Sequence, residues 1–473
     1  MAAVALTAGL SACHEPSWQA ELVSANAAGT DSANGQSFGP MLSADGTKVV
    51  FESAASDLGP TDTNGVDDVY VRDLTAGTTD LVSVDATGTD GGDDRSFFPQ
   101  LSPDGTKVGF NSTATNLAVP ATDGRNDDVY VRDLATGTTT LVSVNADGTA
   151  GGDGQSNLTG FSPDGERVLF VSWARNLVPG GSSAGAIYER DLATGTTTKL
   201  ADGVSAAYSP SGDAVAFFTV RNVFLRDAAT GTVTELSAGP SGSQLTGRPY
   251  FSHDGTRVAF ARWTNPDFVR TDIYVYDLAT GSTTLVTADL NGRGGSDNTP
   301  SRIHGFHPSD ADRLLFSSTA SNLVAGDTNG RQDLFVRDLR RGVTTRVVER
   351  VGLSTGNETP GYARWLGDGT RIAFVSFVGT YGVRDTNGTA DVYVLDVAAG
   401  TYALVSTEAT GHDGANGRSG GYDLEPASSY IIYELSASAD GSRVAFGSDA
   451  SDLGPTDSDR SRDHDVYVAS APE

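Results

Sequence analysis

The chain has 473 residues and a formal net charge of −28, which repels phosphate backbones and so excludes nucleic acid as a partner. Its 48 Asp greatly outnumber its 12 Glu, and it contains 57 Gly. Because Asp and Gly favour turns whereas Glu favours helices, this composition predicts an all-β protein with many tight turns. No apolar run approaches the length of a membrane-spanning helix.

The chain begins with a short apolar run that ends in Leu10-Ser11-Ala12-Cys13. This run resembles a bacterial lipobox, in which small residues precede a cysteine that receives a diacylglycerol. We predict a lipoprotein-type signal and short tether over residues 1–19, with lipidation at Cys13. The mature protein would then be extracytoplasmic and attached to the membrane through its lipid alone, or secreted if the lipobox interpretation is wrong. The alternative is a chance apolar start with a free thiol, because no Lys or Arg precedes the run.

The rest of the chain repeats one unit. Each unit has a Ser-x-Asp-Gly turn, a strand of alternating apolar residues, a polar loop, a segment like Asp68-Val-Tyr-Val71, and a turn containing Gly. Counting degenerate copies, the first turn and the Asp-Val-Tyr-Val segment each occur eight times. The eight first turns begin at Ser43, Ser102, Ser162, Ser209, Ser252, His307, Leu366 and Ser438.

We label the strands of each unit A (before the Ser-x-Asp-Gly turn), B (after it), C (the Asp-Val-Tyr-Val segment) and D (after the Gly turn). Four-stranded units in series are typical of propeller blades. We therefore predict that residues 20–473 form a single domain, an eight-bladed β-propeller of four-stranded antiparallel blades.

The two ends of the chain complement each other. The last unit stops after strand C at Asp465-Val-Tyr-Val468, and the chain begins with an orphan D-like strand, Glu21-Leu-Val-Ser24. Pairing these two strands would remove two exposed sheet edges. We predict that the N-terminal strand completes the last blade and closes the ring.

These repeats resemble the TolB-like, WD-repeat-like propeller family of bacterial envelope proteins. The hallmark of that family is a Ser-Pro-Asp-Gly turn followed by a short hydrophobic strand, as at Ser102-Pro-Asp-Gly105 and Ser162-Pro-Asp-Gly165. The resemblance implies the propeller fold and an envelope location. It says little about function, since propellers serve binding, scaffolding and several unrelated chemistries.

The long loops indicate which face is functional. The A–B and C–D turns are tight, whereas the B–C and D–A loops, which share the other face, are long and polar. Loops on a rigid scaffold commonly carry binding sites. We predict a non-catalytic monomer that binds a ligand, or scaffolds a protein or glycan of the cell envelope, through this long-loop face. The longest connection, Glu408 to Tyr433, is the first candidate for partner contact, and its alternative is a plain insertion.

The alternative function is a carbohydrate-active enzyme, a hydrolase or lyase, that uses loop carboxylates on the same face. A central channel lined by paired Asp and Arg would favour it. We predict no catalytic residue. The pattern Gly35-Gln-Ser-Phe-Gly39 matches a hydrolase nucleophile motif, but it lacks the strand, elbow and helix that the motif requires.

Three B–C loops share the pattern Asp-x-Asn-Gly-x-x-Asp. Carboxylate and amide oxygens at this spacing, with a Gly that permits a sharp turn, resemble calcium loops. We predict that each loop binds Ca²⁺; the alternative is an Asx-turn that leads into strand C without metal. Blade 2 has a weaker version around Asp123 and Asp128, and blade 8 has one at Asp457, Asp459 and Asp463. The predicted ligands are Asp62, Asn64, Asp68, Asp327, Asn329, Asp333, Asp385, Asn387 and Asp391.

Overall fold

The structure, a computed structural model, describes most of the chain from residue 17 onward. In the described residues all regular structure is β-strand, in eight sheets of four strands. Every strand pairing within the sheets is antiparallel. The predicted eight-bladed propeller is confirmed. The described residues are 17–181, 183–237, 244–263, 271–292, 301–349, 362–377, 379, 381–383, 385–409, 413–420, 435–453 and 464–472.

The first strand, β1 (Gln19–Leu22), belongs to the last blade, and the blades then follow in chain order. The strands of blades 1 to 4 are, in order, β2 (Ser37–Leu42), β3 (Lys48–Ser53), β4 (Asp68–Asp73) and β5 (Thr78–Leu81); β6 (Ser96–Leu101), β7 (Lys107–Ser112), β8 (Asp128–Asp133) and β9 (Thr138–Leu141); β10 (Ser156–Phe161), β11 (Arg167–Ser172), β12 (Ala186–Asp191) and β13 (Thr196–Asp202); β14 (Ser205–Tyr208), β15 (Ala214–Phe218), β16 (Val223–Asp227) and β17 (Val233–Ser237).

Blades 5 to 8 repeat the same arrangement. Their strands are β18 (Gln244–Phe251), β19 (Arg257–Trp263), β20 (Thr271–Asp277) and β21 (Ser282–Leu285); β22 (Arg302–His307), β23 (Asp310–Ser318), β24 (Asp333–Asp338) and β25 (Val343–Val348); β26 (Ala363–Leu366), β27 (Arg371–Ser376), β28 (Asp391–Asp396) and β29 (Thr401–Leu404); β30 (Leu435–Ala437), β31 (Arg443–Ser448) and β32 (Asp465–Ser470).

The B strands explain how the blades pack. Successive side chains of a strand point to opposite faces of its sheet, and both faces of a blade are covered by its neighbours. In β3, Val49 and Phe51 pack with Val466 of blade 8, whereas Val50 packs with Phe110 of blade 2. This is why the B strands are almost continuously apolar, and why the hydrophobic core is divided into layers between blades.

The Ser-x-Asp-Gly turn is held by its own side chains. Ser43 Oγ donates a hydrogen bond to Asp45 Oδ1 (2.6 Å) and accepts one from the backbone N–H of Lys48 (2.9 Å). Gly46 has φ 70°, a conformation that favours glycine. The hydrogen bonds from Ser43 and Thr47 lower the pKa of Asp45 to about 2. The turn is therefore a self-contained structural device.

The ring closes as predicted. β1 pairs antiparallel with β32, with Leu22 opposite Tyr467. Just beyond β1, Ser24 Oγ donates to Asp465 Oδ1 (2.6 Å), which fastens the N-terminal segment to strand C of the last blade. β2 packs against β30 and β31, so blades 1 and 8 are neighbours. The first strands of successive blades contact one another, which places the A strands innermost, around a central channel.

Candidate functional site

The B–C loop of blade 1 forms a closed hydrogen-bond network around Asp68. Asp68 is fully buried, and its Oδ1 accepts a hydrogen bond from Ser83 Oγ (2.5 Å). Its Oδ2 accepts one from Asn64 Nδ2, which also donates to the carbonyl oxygen of Gly92 (2.7 Å). Asn64 Oδ1 accepts the backbone N–H of Val66 (2.8 Å), which is the bond of an Asx-turn. Each polar atom of the Asn64 side chain therefore has a partner inside the protein.

Burial controls the ionisation of this loop. Removal from solvent raises the pKa of Asp68 to about 7, despite the opposing hydrogen bonds from Ser83 and Asn64. The neighbouring Asp62 accepts a hydrogen bond from the hydroxyl of Tyr70 (2.6 Å). Burial and the bond to Asp62 raise the pKa of Tyr70 well above its ordinary value. The carboxyl group of Asp68 is therefore partly protonated at neutral pH.

The backbone of Gly91, from the D–A loop, covers the point where these side chains meet. A Cβ at this residue would lie 3.0 Å from Asp62 Oδ1, from Asn64 Nδ2 and from Asp68 Oδ2. A calcium ion would need that space and six to eight oxygen ligands, yet Asn64 presents its amide nitrogen there. In this arrangement the loop agrees with the alternative prediction, an Asx-turn without metal. Calcium binding would require the side-chain oxygen of Asn64 to replace its amide nitrogen at the meeting point and Gly91 to move.

Blade 7 repeats this arrangement. Asn387 Nδ2 donates to Asp391 Oδ2 (2.7 Å), and Ser406 Oγ donates to Asp391 Oδ1 (2.6 Å). Tyr393 donates to Asp385, as Tyr70 does to Asp62. Burial raises the pKa of Asp391 to about 8. The structure therefore brings together the three predicted residues of this loop in the same way as in blade 1.

Blade 6 differs because an arginine enters the loop. Arg346 Nη1 lies 2.9 Å from Asp333 Oδ2 and 3.5 Å from Asp327 Oδ1. Burial opposes the charge of Arg346, but its hydrogen bond to Asp333 and the negative charges of the neighbouring acids together raise the pKa of the guanidinium. Asn329 Nδ2 donates to Asp333 Oδ1 (3.0 Å). The cation at this loop is supplied by the protein, so we restrict the calcium prediction to blades 1 and 7.

In blade 2, which has the weaker version of the calcium pattern, only the buried carboxyl group, that of Asp128, is retained. Asp128 accepts a hydrogen bond from Ser143 Oγ (2.5 Å), and burial raises its pKa to about 7. Within the described residues, no group of three or more His, Cys, Asp or Glu side chains is placed to hold a metal ion. Some predicted positions lie outside the described residues: Cys13, Asp457, Asp459 and Asp463, together with residues 410–412 and 421–433 of the connection from Glu408 to Tyr433.

The central channel contains a cavity that sequence reasoning missed. It has a volume of about 520 Å³ and lies between the A strands of blades 2 to 5, at the end of the short A–B turns. Its wall includes the rings of Phe161, Tyr208 and Tyr250, and the polar side chains of Gln100 and Thr159. The long-loop face was predicted to carry function, whereas this cavity opens toward the opposite face.

The A strands of blades 5 and 7 each carry an arginine. Arg248 in blade 5 lines the cavity, and its guanidinium lies 5.0 Å from the centroid of the Tyr250 ring. Arg364 in blade 7 is partly buried; burial first, and then the positive charge of Arg248, lower its pKa. Blades 5 and 7 are separated by blade 6, which has Gly305 at the register position of Arg364. Both arginines therefore lie on innermost strands of the ring.

The channel wall also holds a strained residue. Phe98 in β6 has φ 55°, while Gly39 has φ 61° at the corresponding position of blade 1. The backbone N–H of Phe98 donates to Glu52 Oε1 of blade 1 (2.8 Å). A non-glycine residue in this conformation costs about 1–3 kcal/mol. Strain of this kind is concentrated at functional sites, and here it lies in an innermost strand.

Some proteins of known structure have a similar fold. No family model and no curated protein matches the chain. Dipeptidyl peptidase 4 from Porphyromonas gingivalis is similar at 14% identity and a TM-score of 0.50, over 86% of this chain and 57% of that one. An oligogalacturonate lyase from Vibrio parahaemolyticus is 12% identical with a TM-score of 0.49, over 97% and 98% of the two chains. TolB from Acinetobacter baumannii is 17% identical with a TM-score of 0.34, over 73% and 77%.

At these identities the likeness shows the propeller fold alone. The similar structures include a lyase, a peptidase and TolB proteins. Propellers in general serve unrelated functions. The described part of the chain also contains no helix with the length and hydrophobicity needed to cross a membrane. Because the similarity shows the fold alone, the function has to be inferred from the residues of the site.

Proposed function

We propose that this protein is a non-catalytic, extracytoplasmic propeller that binds a protein or glycan of the bacterial envelope as a monomer. The proposal rests on one observation: hydrogen bonds hold the loops of the long-loop face to one another. The backbone N–H of Asn34, in the D–A loop before blade 1, donates to Asp57 Oδ1 (2.9 Å), and Asn34 Oδ1 accepts the N–H of Ser56 (2.8 Å).

These contacts between long loops recur around the ring. The backbone N–H of Ala86 donates to the carbonyl oxygen of Asn116 (2.8 Å), that of Ala146 to Asn176 (2.8 Å), and that of Ala409 to Asp452 (2.7 Å). Each bond joins a D–A loop to the B–C loop of the next blade. The face is thus a polar surface held in one conformation, and a pre-organised surface loses less entropy on binding.

The membrane attachment is a separate part of the proposal. We propose that Cys13 carries a lipid and that the tether before β1 holds the propeller close to the membrane. Cys13→Ser should move the protein from the membrane fraction to the soluble fraction, because the lipid supplies the apolar contact with the bilayer. Unchanged partitioning of this variant would refute the anchor and leave the binding proposal standing.

The enzymatic alternative needs carboxyl groups that substrate can reach. Asp68 and Asp391, whose pKa values are raised, are 0% exposed and bonded within their loops. Arg364 in the channel has Arg248, and no acid, as its charged neighbour among the described residues. The carboxyl groups described here therefore support structure, and the binding function is the one that we propose.

The binding proposal is tested with envelope extracts and a glycan array. We expect the wild type to capture a defined ligand, and expect a variant with Thr87→Ala and Thr89→Ala at the exposed tip of one D–A loop to alter capture without changing the melting temperature. The ligand should be recovered intact after incubation. Recovery of a cleaved glycan would support the carbohydrate-active alternative, and absence of any captured ligand would contradict binding at this face.

Calcium in the loops of blades 1 and 7 is a further proposal. It would involve Asp62, Asn64 and Asp68 in one loop, and Asp385, Asn387 and Asp391 in the other. In the first loop it requires the inward turn of Asn64 described above. The supporting feature is the pairing of two buried or half-buried carboxyl groups in each loop without an internal cation. Melting curves in calcium and in excess chelator test this proposal.

A further inference from the structure

The cavity of the central channel exists because two of its strands carry small residues. Gln100 in blade 2 and Tyr250 in blade 5 each lie two residues before the first residue of the A–B turn. The same position is Gly160 in blade 3 and Ala207 in blade 4. A Cβ at Gly160 would lie 3.6 Å from Gln100 Oε1. The small residues leave a space of about 520 Å³, within the usual range for small-molecule sites.

The wall of this cavity is almost uncharged. The chain has 60 Asp and Glu residues, yet none of the described residues that line the cavity is an Asp or Glu. Among those residues the one charged side chain is Arg248, which is exposed and lies against the ring of Tyr250. Aromatic rings, prolines and uncharged polar groups form most of the wall. Such a wall favours a neutral ligand that has both apolar and hydrogen-bonding surfaces.

Two polar side chains in the wall are available to a ligand. The amide of Gln100 and the hydroxyl of Tyr250 are half-buried and make no hydrogen bond within the described part of the chain. An amide offers two donors and an acceptor, and a phenol hydroxyl both donates and accepts. Tyr208, in the same wall, instead donates its hydroxyl to Glu189 Oε2 (2.7 Å). Of these two tyrosine hydroxyls, that of Tyr250 is therefore the one that a ligand can use.

We infer that this cavity binds a short neutral saccharide, at a site separate from the long-loop face. A sugar ring has an apolar face of C–H groups and an edge of hydroxyl groups. Its face can pack on the aromatic rings of the wall, and its hydroxyl groups can bond to Gln100 and Tyr250. Hydroxyl groups that leave water need such partners, because a buried polar group without one is unfavourable. The volume suits a small ligand, which favours a saccharide over a segment of peptide.

Calorimetry tests the ligand class. The neutral probes are cellobiose, maltose and di-N-acetylchitobiose, and the counter-probes are digalacturonate and a proline-rich peptide. We expect at least one neutral disaccharide to bind, and both counter-probes to bind at least about tenfold more weakly, because they do not match the neutral wall and its two hydrogen-bonding groups. Equal or tighter binding of either counter-probe would overturn the neutral saccharide. Binding of no probe would overturn the site itself.

The two tyrosines of the wall give a matched pair of variants. Tyr250→Phe removes a hydroxyl without an internal bond, so it should weaken binding of the neutral disaccharide about two- to tenfold and leave the melting temperature unchanged. Tyr208→Phe removes a hydroxyl that is bonded to Glu189, so it should lower the melting temperature and leave binding unchanged while the protein is folded. Weaker binding by Tyr208→Phe, with wild-type binding by Tyr250→Phe, would refute the assignment.

Two further variants test the space and the amide separately. Ala207→Leu adds apolar volume at the cavity wall and removes no polar group, so we expect binding of the disaccharide to be lost while the melting curve stays cooperative. Gln100→Leu should weaken binding about two- to tenfold. Gln19→Leu, at an exposed position of β1, is its control and should bind as the wild type does. Undiminished binding by both Ala207→Leu and Gln100→Leu would place the saccharide elsewhere and overturn the inference.

The same measurements separate this site from the function proposed for the long-loop face. Combined Thr87→Ala and Thr89→Ala substitutions change the long-loop face and should leave binding of the disaccharide unchanged. Disaccharide binding without capture of any envelope ligand would refute the function of the long-loop face and support this site. Capture of an envelope ligand without disaccharide binding would refute this site alone.

Discussion

The B–C loops of blades 1 and 6 have the same Asp-x-Asn-Gly-x-x-Asp pattern and stabilise their buried carboxyl groups in different ways. In blade 1, Ser83 and Asn64 donate hydrogen bonds to Asp68, and burial raises the pKa of that carboxyl to about 7. In blade 6, Arg346 lies 2.9 Å from Asp333 and forms an ion pair with it. The loop of blade 1 favours the protonated form of its buried carboxyl group, whereas the loop of blade 6 favours the ionised form.

Two positions in strand D account for the difference. Leu81 lies opposite Tyr70 in blade 1, and Arg346 lies opposite Phe335 at the same register in blade 6. Two residues further along the chain, blade 6 has Val348 where blade 1 has Ser83, which lies just beyond β5. The loop pattern alone therefore does not predict a metal. The residue that neutralises the carboxyl group comes from another strand.

The largest expected effect follows from removing the arginine of blade 6. Arg346→Met should lower the free energy of unfolding by about 3–5 kcal/mol at pH 7.5, because it removes the cation that pairs with two buried carboxylates. Urea unfolding measures the change. Adding Asp333→Asn to this variant should recover much of the loss, because it removes the uncompensated charge. A single variant as stable as the wild type would show that Arg346 is not the stabilising cation.

Removing the hydroxyl donor of blade 1 should have a smaller effect. Ser83→Ala leaves Asp68 Oδ1 without its donor and the backbone N–H of Val69 without its acceptor. We expect a loss of up to about 3 kcal/mol in urea unfolding. Thr75→Ala, at an exposed turn, is the control and should change stability little. Equal effects of the two substitutions would contradict a special role for Ser83.

The pH dependence distinguishes the two loops. The folded-state pKa of Asp68, about 7, lies above the value of about 3.9 in an unfolded chain. Its contribution is therefore fully present below pH 4 and is lost as pH rises through 7. In excess chelator, this group should make the wild type about 2 kcal/mol less stable at pH 8 than at pH 5.5. Melting curves at the two pH values measure the difference.

Two substitutions test the origin of that pH dependence. Asp68→Asn cannot ionise, so it should reduce the difference in stability between pH 5.5 and pH 8. Asp333→Asn removes a partner of Arg346 and should lower stability at both pH values. If Asp68→Asn retained the full pH dependence of the wild type, the titrating group would lie elsewhere.

Calcium should give the smallest effect. At a tenfold excess over Kd, a bound ion stabilises the folded state by about 1.4 kcal/mol per site. Melting curves in millimolar Ca²⁺ and in excess chelator should differ for the wild type. The difference should disappear when Asp62→Ala and Asp385→Ala are combined, and should persist in Asp327→Ala, whose loop contains Arg346. Superimposable wild-type curves in the two buffers would end the calcium prediction.

Most of the fold could be predicted because its signals are local. The turn of Ser43, Asp45 and Gly46 is held by hydrogen bonds within a few residues, so its sequence pattern marks each blade. The match between β1 and the incomplete last blade also predicts the ring closure, since a missing strand is visible as an incomplete repeat. The three members of each predicted calcium loop are close in the chain, and their proximity was predictable for the same reason.

By itself, the sequence determined the number of blades, the strands within each blade, the tight turns and the closure, because period-2 burial and turn chemistry depend on neighbouring residues. Only the tertiary structure placed Gly91 over the loop of Asp68 and brought Arg346 to Asp333. Those contacts join different strands, loops or blades. Burial and charge pairing depend on what the closed ring brings together, and no local pattern records it.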